Sequence, residues 1–137
     1  MLTNLRQRVA ARDESGFTLI ELLVVLIIIG VLLAIAVPAY LGFKERAEKR
    51  AAGSDVRAAM PGAEAYYGDQ SPNSYKGISV PGLKVIDAGI KLDAASTNAT
   101  FDKYCLVKTV GSWSAYVVGP GGDITVVASG DPTCVGL

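Results

Sequence analysis

The chain has 137 residues, room for one modest domain, and half of them are hydrophobic. Thirteen Lys and Arg balance thirteen Asp and Glu, so net charge gives no general attraction to nucleic acid. With no His and only two Cys, there is no imidazole base and no zinc-ligand spacing.

Residues 1–15 are polar and positive early, like the n-region of a targeting segment. Arg6, Arg8 and Arg12 against Asp13 and Glu14 leave this stretch at +1, so the remainder carries −1. An apolar run follows. From Leu22 to Val37 no residue is polar, and after Glu21 the next ionisable groups are Tyr40 and Lys44. As a helix, Phe17 to Phe43 covers roughly 40 Å, more than the ~30 Å hydrocarbon core of a bilayer. Leu, Ile and Val lie all round it, the pattern of a buried or membrane helix. The arginines place the N-terminus on the cytoplasmic side.

Glu21 interrupts this run near its start, where a lone carboxylate is costly. One reading sets it at headgroup level, marking the start of the span. The other gives it a cationic partner met after processing. A cut between Gly16 and Phe17 would create an α-amine, and a neighbouring subunit shifted along the axis would bring its own amine level with Glu21. Such a pair fixes axial register. An ordinary signal-peptidase site is offered by Ala34-Ile35-Ala36, but Asp13, Glu14, Glu21 and the nearby Pro38 oppose it. A retained, unprocessed anchor is the remaining route. Gly30 and Pro38 are the weak points of the helix, and Pro38 removes the hydrogen bond to the carbonyl of Ala34, so a kink is expected there.

The run Gly16-Phe17-Thr18-Leu19-Ile20-Glu21, preceded by a charged leader and followed by an apolar helix, resembles the N-terminal signature of the type IV pilin family, which includes the pseudopilins of type II secretion. The resemblance covers about residues 1 to 45. It implies that residues 1–16 are a leader removed by a prepilin peptidase after Gly16, that Phe17 is N-methylated, and that Glu21 is the assembly glutamate. It further implies local loss of helical hydrogen bonding between Gly30 and Pro38 in a fibre, against the plain kink read from the residues alone.

Residues 17–43 are then the transmembrane and fibre-core helix, and 44–67 its amphipathic continuation. Lys44, Glu45, Arg46, Glu48, Lys49 and Arg50 mix signs over two turns and read as a solvated face. Glu45 and Lys49 form an i, i+4 pair in the favoured order, Lys44 and Glu48 in the reverse order. Val56, Met60, Ala63 and Tyr67 recur at helical spacing as a face to lay on a sheet. Gly53 and Pro61-Gly62 predict a bend or break near Met60.

Residues 68–100 read as the loop between helix and sheet, with strand-like pieces at Lys84 to Ile86 and Ile90 to Leu92. Asn98-Ala99-Thr100 matches the glycosylation sequon, a triplet common by chance. Residues 101–137 carry the strand signal: Tyr104 to Thr109, Trp113 to Val118 and Ile124 to Ala128, separated by Gly111-Ser112 and Pro120-Gly121-Gly122-Asp123. Cys105 and Cys134 are expected to pair, as two cysteines in a small exported domain do. The pair resembles the disulfide-bounded C-terminal region of many type IV pilins and departs from the usual pseudopilin, where a calcium site is often found. Asp123 and Asp131 are isolated turn acids rather than a calcium loop.

The expected fold is α+β, a long N-terminal helix packed on a C-terminal antiparallel sheet of three to four strands. No catalytic constellation or cofactor motif is present, so an enzyme is not expected. The resemblance implies a homopolymer built through N-terminal helices, an assembly ATPase and a platform protein as partners, and a path from inner membrane to extracellular pilus serving adhesion or motility. A pseudopilin of a secretion or DNA-uptake apparatus is the alternative within the family. A membrane-anchored binding domain that never polymerises is the alternative outside it.

Overall fold

A computed structural model describes residues 16–129, 134 and 137. Two compact units divide the chain, residues 1–40 and 41–137. The leader charges Arg6, Arg8, Arg12, Asp13 and Glu14, and the turn acid Asp131, lie outside the described residues.

Helix α1 runs from Leu19 to Asp69, 51 residues without interruption. The expected break near Met60 does not occur. Pro61 forfeits one hydrogen bond and Gly62 carries the glycine penalty, but Gly62 and Ala63 are buried. Tertiary packing of an apolar face outweighs local propensity here. The packed face is narrower in side chain than expected: Ala52, Val56, Ala59, Gly62 and Ala63 are buried, while Met60 and Tyr67 sit at the margin. Small residues let neighbouring chain come close. A Cβ on Gly62 would come within 2.8 Å of the tip of Ile90.

Four antiparallel strands follow in simple meander order: β1 Ala94–Thr97, β2 Tyr104–Val110, β3 Trp113–Gly119 and β4 Thr125–Ala128. The last three match the strands expected from β-branched and aromatic runs. Strand β1 was not expected as one, since Ala-Ala-Ser-Thr has little intrinsic strand preference. It forms because β2 offers a partner, with Ala94 opposite Val107 and Thr97 opposite Tyr104. The strand-like piece Lys84 to Ile86 is instead the end of a short helix α2, Val80–Ile86. Ser79 caps α2, its hydroxyl accepting the Gly82 N–H at 3.3 Å, and Pro81 stands in the first turn where its missing N–H costs nothing. Ile90 to Leu92 is not a strand either; Ile90 and Leu92 are buried anchors of irregular chain.

Tyr104, Leu106, Ala115 and Val117 on the sheet meet Ala52, Val56, Ala59 and Ala63 of α1 in one apolar core, closed by Tyr75, Ile78, Leu83, Ile90 and Leu92. The Tyr67, Tyr75 and Tyr104 rings contact in series, with centroids 4.7 and 4.8 Å apart. Tyr75 donates to Glu64 at 2.9 Å. Burial first, and then the Glu64 carboxylate, push both the Tyr75 and Tyr104 phenols up, so they stay neutral. On the other face of β2, Cys105 is buried and forms a disulfide with Cys134, Cα atoms 6.2 Å apart.

Two acids fasten the sheet. Asp93 leads into β1, its carboxylate accepting from Lys108 Nζ at 2.9 Å and the Thr109 N–H at 2.6 Å. Burial opposes its charged form, but these two donors outweigh that and hold the carboxyl below its ordinary value. The folded form is therefore favoured by Asp93 above the ordinary Asp range and loses that support as pH falls through its lowered pKa. Denaturant midpoints from pH 6 to pH 2 should fall less steeply in Asp93→Asn than in the parent chain, starting at about pH 4.

The second is Glu48. It reaches from α1 to the β2–β3 turn, where its carboxylate accepts the Ser112 N–H at 3.0 Å. The charge run is thus more than a solvated face. Both expected i, i+4 pairs form, Glu45–Lys49 at 2.7 Å and Lys44–Glu48 at 3.7 Å, but Glu48 also caps a turn 64 residues away. The turn itself is a two-residue hairpin loop with Gly111 at φ +57°, the positive-φ first position of a II′ turn. A Cβ there would collide with the Glu48 carboxylate. Gly111→Ala should lower unfolding stability by about 2–3 kcal/mol, combining backbone strain with loss of the Glu48 bond, measured by denaturant titration of the full chain in detergent.

Candidate functional site

The first turn of α1 is where the sequence concentrated its signals. Gly16 to Thr18 precede the helix in non-helical conformation and are exposed, so the Gly16–Phe17 bond lies outside regular structure. Thr18 is the N-cap. Its N–H and its hydroxyl both donate to one carboxylate oxygen of Glu21, Oε2, at 3.0 and 2.7 Å. The Glu21 N–H donates back to Thr18 Oγ1 at 3.3 Å. This is a capping box, Thr-x-x-Glu, which satisfies helix-end donors reciprocally. The Thr-x-x-Glu spacing is present in the sequence, but the apolar context of Glu21 points to distant partners instead. The structure adds a local one. Glu21 Oε1 accepts no hydrogen bond among the described residues.

Beyond the cap, Leu22 to Val37 are exposed all round the helix, Ile35 at 70% and Leu32 at 62%. A soluble monomer does not leave so large an apolar surface open; it belongs against lipid or other apolar helices. Among the described residues one helix is long and apolar enough to cross a membrane. Phe17, Ile20, Val24 and Val25 line a shallow apolar groove of about 390 Å3 beside Glu21. Gly30 and Pro38 both lie within continuous helix, and the Cβ position of Gly30 is open on every side.

The remaining candidate residues lie apart from this turn. Asn98 is committed to its own loop. Its side-chain nitrogen donates to Thr100 Oγ1 at 2.8 Å and Asp102 Oδ1 at 2.5 Å, and its oxygen accepts the Asp102 and Lys103 N–H groups. The Thr100 hydroxyl and the Asn98 amide hold the Asp102 carboxyl below its usual range. The sequon is therefore also a loop-closing motif. Asp123 is exposed, and among the described residues no three His, Cys, Asp or Glu gather as a metal site.

The capped acid and the apolar run that follows it lie in the part of the chain that is similar to known proteins. Residues 11–37 match the prokaryotic N-terminal methylation motif. That stretch is similar to the N-terminal region of type IV pilin family proteins. Among curated pilin-family relatives, Type II secretion system core protein G of Dickeya chrysanthemi is 41% identical over 69 residues, 49% of this chain and 45% of that protein. The protein of the same name from Escherichia coli K12 is 49% identical over 49 residues, 36% of this chain and 34% of its own length. A fimbrial protein of Pseudomonas aeruginosa is 46% identical over 53 residues, 39% of this chain and 34% of that protein. The chain spans about half or less of the length of these pilin-family relatives. No solved structure matches it.

Proposed function

We propose that this chain is a structural subunit of a type IV pilus, cleaved after Gly16, N-methylated on Phe17 and polymerised through α1. The observation that carries this reading is the pairing of a capped but half-satisfied Glu21 with an apolar helix exposed on every side. Exchanging lipid for neighbouring helices changes the partner and not the polarity, so assembly depends on packing, on pairing of Glu21 with an α-amine, and on an external motor. In this reading the precursor sits in the inner membrane with its N-terminus inside, and a prepilin peptidase, an assembly ATPase and a platform protein are its partners. Gly30 and Pro38 are the places where the helix yields if packing demands it.

A second reading is a pseudopilin of a secretion apparatus, favoured by the several relatives named as type II secretion proteins. The Cys105–Cys134 disulfide favours the pilus by resemblance. Mass spectrometry of the extracellular protein tests both: an N-methylated Phe17 at the N-terminus is expected, and any other start overturns the reading. Long surface fibres labelled by antibodies to this chain separate the pilus from a short secretion fibre. Cleaved chain that stays dispersed in the membrane would leave only an anchored binding domain.

A further inference from the structure

The sequence has a single tryptophan, and the fold sets it beside α1. Trp113 opens β3 at the tip of the β2–β3 hairpin. Glu48 pins that tip to α1 through the Ser112 N–H, and Lys49 Nζ lies 3.7 Å from the centre of the Trp113 ring. Leu41, Lys44, Glu45, Glu48, Ser112 and Trp113 together line an open pocket of about 250 Å3. The hairpin tip therefore lies beside helix residues 41–49.

Those helix residues are where a membrane span would end. A bilayer core of ~30 Å takes about 20 helical residues, and counting from Leu22 these run to Leu41. Lys44 is the first cation after the run, with its side chain 57% exposed. Trp113 is half-buried, and its indole N–H donates to nothing among the described residues. An apolar ring with a free polar edge, beside the first charged helix residues after an apolar run, is the chemistry of the aromatic belt at the bilayer surface. The pocket carries both signs, Lys44 against Glu45 and Glu48, as a layer of zwitterionic headgroups does.

We propose that the β2–β3 hairpin tip docks into the phospholipid headgroup layer of the outer-facing leaflet, with Trp113 as its interfacial anchor and Lys44 facing lipid phosphate. The surface holds the subunit against the membrane before assembly. It rests on the membrane-inserted state of the proposed function but not on polymerisation.

The lone tryptophan is its own reporter. The full chain is reconstituted in phosphatidylethanolamine and phosphatidylglycerol vesicles whose acyl chains carry bromine either near the headgroup or near the terminal methyl. Shallow bromine is expected to quench Trp113 emission about twofold and deep bromine much less. Glu48→Ala, which unpins the tip, should weaken the shallow quenching while acrylamide quenching rises. Emission quenched by acrylamide and indifferent to both lipids overturns the proposal, as does stronger quenching by deep bromine. Shallow quenching in a chain that never forms fibres would keep the anchor and remove the pilus reading instead.

Discussion

Glu21→Ala is expected to leave the precursor inserted in the membrane and to lower the yield of assembled fibre by roughly 100-fold or more, because an α-amine carried into an apolar fibre core loses its partner. The capping box gives this prediction its control. Glu21 has two jobs in the structure, satisfying the Thr18 N–H and hydroxyl through Oε2 and keeping Oε1 open. Thr18→Val removes the hydroxyl but leaves a carboxylate that can meet a cation, so its fibre yield should fall by less than that of Glu21→Ala. Fibre yield is read from sheared surface protein and insertion from carbonate-resistant membrane protein. If both variants assemble at parental levels, the acid serves the helix end alone. If Thr18→Val is the more damaging, the cap matters more than the charge.

Replacing Cys105 and Cys134 with serine should lower stability by about 3–4 kcal/mol, the chain-entropy value for a separation of 29 residues. The cost is set by the unfolded state, where the cross-link denies freedom to the stretch that contains β3 and β4. Burial adds to it, because Cys105 is fully enclosed and a serine hydroxyl there needs a partner. Denaturant titration of the full chain with and without reductant measures the effect. A shift in midpoint below about 1 kcal/mol equivalent would mean that packing around β2 holds the tail without the bond.

Where local pattern and tertiary packing agreed, the sequence was transparent. Leu22 to Val37 could only be a helix needing an apolar partner, and Gly111-Ser112 between two β-branched runs could only be a tight hairpin turn. Where the decision lay with a distant partner, it was not. Ala94 to Thr97 became a strand through β2, and Val85 and Ile86, good strand formers, were drawn into α2 by the Ser79 cap and Pro81. Pro61-Gly62 punctuates a chain read locally, yet the core needs small residues there and the helix continues. Glu48 looked like one more charge on a wet face because nothing in its neighbourhood names Ser112. At the candidate site the residues were legible but one relation was not: Thr18 and Glu21 stand at capping-box spacing, a purely local signal masked by the apolar run that follows it.

The bond between Cys105 and Cys134 also has a mechanical meaning. In the proposed fibre, a subunit pulled by its helix can lengthen only by letting chain slip out of the folded head. Residues between the two sulfurs are closed into a ring, so their full contour of roughly 100 Å is withheld from any such extension. Strain can loosen what precedes Cys105, but past that point the load runs through the covalent link, and a tug that would unravel an open meander stops there.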